Sequence, residues 1–82
     1  QEPMTALDPL YTIGDQIGEA LRLHRSVSEA EGQEMTRDML RLVGFPNPQK
    51  ALLTYPFELS GGLRQRAMIA MALVCRPALL IA

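Results

Sequence analysis

A mainly α fold, a small helical bundle that feeds one short C-terminal strand, is what the sequence predicts. Three observations point there: two polar-started segments whose apolar residues recur at helical spacing, a last helix start at Ser60 that runs into an apolar stretch, and a final apolar run after Pro77.

From Gln1 to Leu10 two prolines and the absence of a helical period indicate an extended loop. Thr12, with Asp15 three residues on, then caps a first helix. In that helix Ile13, Ile17, Ala20 and Leu21 share one stripe, while Asp15, Glu19 and Arg22 face water, and the end falls near Arg25. Ser28 and Glu31 make a second capping box, followed by a stripe of Met35, Met39, Leu42 and Val43 that stops at Gly44. Asn47 caps a short helix with Pro48 in its first turn, reaching Leu53 before Pro56. Ser60 caps the last helix, whose residues Ala67 to Cys75 are apolar on every side, so it is expected to be enclosed, although three preceding helices cover only part of it. Residues 78–82 read as a buried parallel strand, left without sheet neighbours in this chain.

A length of 82 residues allows one small domain with a thin core. The balance of 48% hydrophobic to 21% charged residues excludes a disordered segment, and a net charge of -1 excludes a grip on nucleic acid or anionic membrane through bulk charge. Cys75 has no partner for an internal disulfide, which favours a buried thiol in a reducing compartment. No apolar run approaches the roughly 20 residues of a membrane span and the polar start lacks signal-peptide regions, so a soluble segment is expected. Gln1 in place of an initiator Met, together with the apolar end, leads us to expect the middle of a longer protein.

Chemistry concentrates at Ser60-Gly61-Gly62, where a loop becomes a helix. Free backbone N–H groups, a hydroxyl and the positive end of the helix dipole converge there and make an anion site. Taken by itself the tripeptide reads as an N-cap with two turn glycines, since such starts are common. The longer string Leu59-Ser60-Gly61-Gly62-Leu63-Arg64-Gln65-Arg66, followed by an apolar helix, resembles the signature motif of ATP-binding cassette (ABC) proteins. Gln1 resembles that family's Q-loop glutamine. Gln1 to Pro9 and Tyr55 to Leu59 resemble stretches of the oligopeptide, dipeptide and nickel importers, with Phe57 where His is often seen. Leu79 to Ala82 resembles the apolar half of the Walker B strand.

The resemblance implies the helical subdomain of an ABC transporter ATPase, with residues 1–11 the Q-loop region, 12–58 the subdomain, 59–76 the signature and its helix, and 78–82 the start of Walker B. It implies that Ser60, Gly61 and Gly62 hold the γ-phosphate of ATP bound to a partner ATPase subunit. Leu63 stands where Gln is usual, so a backbone contribution is implied there. Gln1 is implied near the magnesium ion and attacking water, and transmembrane permease subunits are implied to dock beside Gln1 to Leu10. The site would lie at the cytoplasmic face of the membrane, with two ATP and Mg2+ between homologous or identical ATPase subunits. Lacking the phosphate-loop Lys and the Walker B carboxylates, the 82 residues alone are expected to be inactive and, with apolar surface uncovered, to self-associate.

Other residues read more plainly. His24 is a solvated helix-end residue, with no second His or Cys at ligand spacing. Met35, Met39, Met68 and Met71 read as core packing, Glu2 and Asp8 as solvated loop carboxylates, at least one of Arg64 and Arg66 as an ion-pair partner, and Cys75 as inert core. A stand-alone helix-turn-helix module is the rival from another class, but a recognition helix needs an exposed polar face and this one turns apolar after Arg66. An ABC-type ATPase of DNA repair is the other rival; there the stretch between Gln1 and Ser60 would carry a long coiled coil or zinc module, which it does not. No nucleic-acid partner is expected.

Overall fold

The computed structural model describes residues 7–75. They form α1 (Ile13–Arg25), α2 (Glu29–Leu42), a one-turn α3 (Pro48–Ala51), a 3-10 turn (Pro56–Glu58) and α4 (Gly61–Val74). α1 packs against α2 and α4, and α2 also meets α3 and α4. Among the described residues there is no strand, and the expected strand at 78–82 lies outside them, as does the loop from Gln1 to Ala6.

Each helix starts where its sequence offers a local acceptor. Thr12 Oγ1 accepts from Asp15 N at 3.1 Å, Ser28 and Glu31 exchange both bonds of a capping box at 3.1 and 3.0 Å, and Asn47 Oδ1 accepts from Lys50 N at 3.2 Å. Caps of this type contribute about 1 kcal/mol each. α2 ends in a Schellman motif: Gly44 has φ 106°, its N–H donates to Arg41 O at 3.1 Å, and Phe45 N donates to Leu40 O at 3.0 Å. The left-handed φ is why glycine stands there, and buried Phe45 supplies the accompanying apolar contact. α3 stops at Ala51, short of the expected Leu53, because the chain turns to give the carbonyls of Leu52 and Thr54 to α1. Pro56 opens the 3-10 turn, closed by Glu58 Oε1 on Tyr55 N at 2.9 Å.

The core is built on α1, whose Ile13, Ile17, Ala20 and Leu21 are buried as their spacing predicts. Burial of each large member contributes about 1.5–3 kcal/mol. Leu40, Phe45, Leu52, Ala67, Ala70 and Val74 close around it. α2 differs from the sequence reading. Its buried face is Gly32, Thr36 and Leu40; Met39 and Val43 pack only partly, Met35 is exposed and Leu42 is 77% exposed. The reason is close approach: a Cβ on Gly32 would stand 3.7 Å from Gly18 O, so the helices meet through small residues. Thr36 is tolerated there because its hydroxyl donates to Gly32 O at 2.7 Å. α4 is also less enclosed than expected. Ala67, Ala70, Met71 and Val74 are buried against α1 and α2, while Ile69 on the opposite side is 48% exposed.

Candidate functional site

The start of α4 is presented by an extended Leu59, half-buried against the core, and by Ser60 at φ −62°, ψ 164°. Ser60 Oγ accepts from Leu63 N at 3.1 Å and Ser60 O accepts from Arg64 N at 2.9 Å. Those two bonds satisfy the third and fourth donors of the helix. The N–H groups of Gly61 and Gly62 have no acceptor among the described residues, and the Ser60 hydroxyl keeps its own proton to donate. All three residues are exposed.

Among the described residues nothing asks for glycine at these two places. A Cβ built on Gly61 or Gly62 would meet no atom within 4 Å, and neither residue has a left-handed φ. In a helix interior glycine costs up to about 1 kcal/mol against alanine. The bare glycines leave two N–H groups and one O–H open at the positive end of a helix dipole, an arrangement that can receive an anion.

Leu63 points inward, half-buried on the core, and its N–H belongs to Ser60 Oγ. Arg64 is exposed. Arg66 is no ion-pair partner: the one salt bridge among the described residues joins Arg41 and Asp38 at 3.0 Å on exposed α2 surface. Arg66 Nη1 instead donates to Val43 O at 2.8 Å, because the C-terminus of α2 offers carbonyls without helical partners and a negative dipole end. A Cβ on Gly44 would collide with that guanidinium. Gly62, Gln65, Arg66, Ile69 and Val43 line an open groove of about 480 Å3 beside the helix start.

The remaining sequence candidates separate. Gln1, Glu2 and Met4 lie outside the described residues. His24 is exposed. Met71 is buried, Met39 and Met68 are half-buried, and exposed Met35 corrects the expectation of core packing there. Cys75 is a half-buried free thiol packed on the core. Asp8 is exposed and accepts from Leu10 N at 2.9 Å. Among the described residues no three His, Cys, Asp or Glu gather to hold a metal, and no helix is long and apolar enough to cross a membrane.

Sequence reasoning missed Gln16. It is 9% exposed, and its carboxamide makes three bonds to the chain entering α1. The available signal was a polar residue next to Ile17 on the apolar stripe, which must find partners if buried. Gly14 was missed as well: a Cβ there would stand 2.5 Å from Leu52 O.

Comparison with known proteins places the sequence in a family. The sequence is 60% identical over its whole length to a putative peptide import ATP-binding protein of Brucella ovis and 57% identical to a probable peptide ABC transporter ATP-binding protein of Sinorhizobium fredii, covering 24% of each. It is 55% identical to the glutathione import ATP-binding protein of Escherichia coli K12, covering 13% of that protein. The chain thus spans about a quarter of the length of the first two relatives. The profile of the ABC transporter family matches residues 1–82, the full sequence, and the chain belongs to that family.

Proposed function

We propose that this chain forms the helical, signature-bearing part of the ATP-binding subunit of a peptide-type importer. In this reading Ser60 O–H, Gly61 N–H and Gly62 N–H hold the γ-phosphate of an ATP molecule bound by a second ATPase subunit. The observation that carries it is the pair of exposed helix-start glycines whose N–H groups are unused and whose Cβ positions are empty, within Leu59-Ser60-Gly61-Gly62 of an ABC chain. Neutral donors suit a phosphate that must be released after hydrolysis, because they bind it without the full attraction of a fixed cation. Leu63 contributes shape only, as its N–H is engaged and its side chain is turned inward. ATP with Mg2+ fits the donors present here at the phosphate end alone.

Gln1 is proposed to approach the magnesium ion and attacking water, and the membrane subunits to dock beside Gln1 to Leu10 on the cytoplasmic side. The peptide-type solute follows from the relatives named for peptide and glutathione import. The 82 residues hold a single lysine, Lys50, with no glycine-rich turn before it, so this chain by itself is proposed not to hydrolyse ATP. Exposed Leu10, Leu42, Leu53 and Phe57 support self-association of the isolated chain.

The test is Ser60→Arg in the full-length subunit assembled with its membrane partners. ATP-driven uptake into proteoliposomes is expected to fall by about 100-fold or more, as for removal of a preorganised donor, with the helical content unchanged. Uptake at the wild-type rate removes Ser60 from the mechanism.

A further inference from the structure

Two polar side chains lie in this core, and they do different things. The Thr36 hydroxyl turns back on its own helix at Gly32 O. Gln16 reaches out of α1: its Nε2 donates to Asp8 O at 2.7 Å and to Tyr11 O at 2.8 Å, and its Oε1 accepts from Asp8 N at 2.8 Å. Asp8 then accepts from Leu10 N at 2.9 Å, and Tyr11 N approaches Asp8 O at 3.4 Å. Residues 8–11 therefore make a turn fastened to the first turns of α1 by one carboxamide. Leu7 adds a partly buried apolar contact to the same core.

A leucine at position 16 would fill the stripe between Ile13 and Ile17 without needing partners. Burying an amide there brings no large net gain in stability, since protein hydrogen bonds replace bonds to water. What it adds is direction: three bonds of fixed geometry allow one placement of the turn relative to the helix, whereas apolar contact allows many.

We infer that Gln16 is a positioning residue that makes the segment Asp8–Tyr11 move as one body with α1. α1 packs on α4, the helix that Ser60 caps and that Gly61 and Gly62 open, through Ala67, Ala70, Met71 and Val74. The inference rests on the proposed function, in which the membrane subunits press on the loop that ends at Leu10. Docking at that loop then displaces the phosphate-binding end of α4, and without Gln16 the displacement is absorbed by bending at Pro9 and Leu10.

The experiment uses the full-length subunit assembled with its membrane partners in lipid nanodiscs, comparing wild type with Gln16→Leu and Gln16→Glu. Hydrogen exchange at the Asp8 amide is expected to speed up by about tenfold or more in Gln16→Leu, with the α1 and α4 amides unchanged. Basal ATP hydrolysis should stay within about twofold, while the extra hydrolysis elicited by transported solute falls by about tenfold. Gln16→Glu keeps the acceptor for Asp8 N and loses both donated bonds, so it should show a partial loss; being of equal volume, it carries the test if the Leu variant fails to assemble. Full stimulation in both variants overturns the inference, and so does a parallel fall of basal and stimulated rates. Ser60→Arg, run alongside, separates the two readings: its loss of turnover beside full stimulation in Gln16→Leu sinks the inference alone, whereas wild-type turnover in Ser60→Arg sinks the proposed function.

Discussion

The molecule starts two helices in nearly the same way and finishes them differently. α1 begins with a Thr12 cap and α4 with a Ser60 cap, each accepting from the third residue at 3.1 Å. At α1 the first two N–H groups are then taken by the polypeptide itself, Ile13 N by Thr54 O at 2.8 Å and Gly14 N by Leu52 O at 3.0 Å. At α4 the corresponding groups, on Gly61 and Gly62, are left open. The glycines differ in the same sense. Gly14 is required from within, because the loop carbonyl would touch its Cβ, and Gly61 and Gly62 are required by nothing among the described residues. One helix start is used by the fold, and the other is left open, as the proposed phosphate contact requires.

This contrast predicts opposite outcomes for substitutions at the two helix starts. The largest effect is expected for Gly62→Asp in the assembled transporter, where a carboxylate beside the donors repels phosphate; ATP hydrolysis should drop by about 100-fold or more while thermal unfolding barely shifts. Gly14→Ala should do the reverse, weakening α1 by about 1–3 kcal/mol through a clash with backbone that cannot swing aside, read from hydrogen exchange of α1 amides in the intact subunit. Catalytic rates per folded molecule would stay near wild type. Thr12→Ala and Ser60→Ala each lose a cap and should cost about 1 kcal/mol in exchange-derived stability, but only the second should also slow turnover. Smallest of all, Gly61→Ala should change stability by no more than about 0.5 kcal/mol, since the methyl meets open space. A strongly destabilised Gly61→Ala would erase the distinction between the two helix starts.

Much of this was legible in the sequence because capping is local chemistry. Thr12, Ser28 with Glu31, Asn47 and Ser60 each find their partner three residues on, so the string of letters already contains both ends of the bond. The stripe of α1 was legible for a related reason, since large apolar residues at helical spacing have one way to be buried together. The face of α2 was not. Hydropathy favours Met35 and Leu42 over Gly32 and Thr36, whereas the contact was decided by how closely two backbones approach, a property of the pair of helices. The partners of Gln16 and Arg66 escaped because they are carbonyl and amide groups of the main chain, which every residue carries; the stripe beside Ile17 could show that Gln16 needs partners but not which ones. The donors at Ser60 to Gly62 were legible as a motif, but only the structure shows that no contact among the described residues accounts for the glycines.

The glycine at position 44 has a consequence for electrostatics. Its bare Cα leaves room for the Arg66 guanidinium to rest on Val43 O, so this positive charge of α4 is directed to the end of α2 and not to the open N–H groups at the start of α4. A side chain at 44 would evict that cation while straining the left-handed backbone, and only the first of these harms depends on Arg66. Gly44→Ala combined with Arg66→Met should therefore be milder than the sum of the two, a non-additivity that would measure how firmly one absent methyl group keeps that charge at the end of α2.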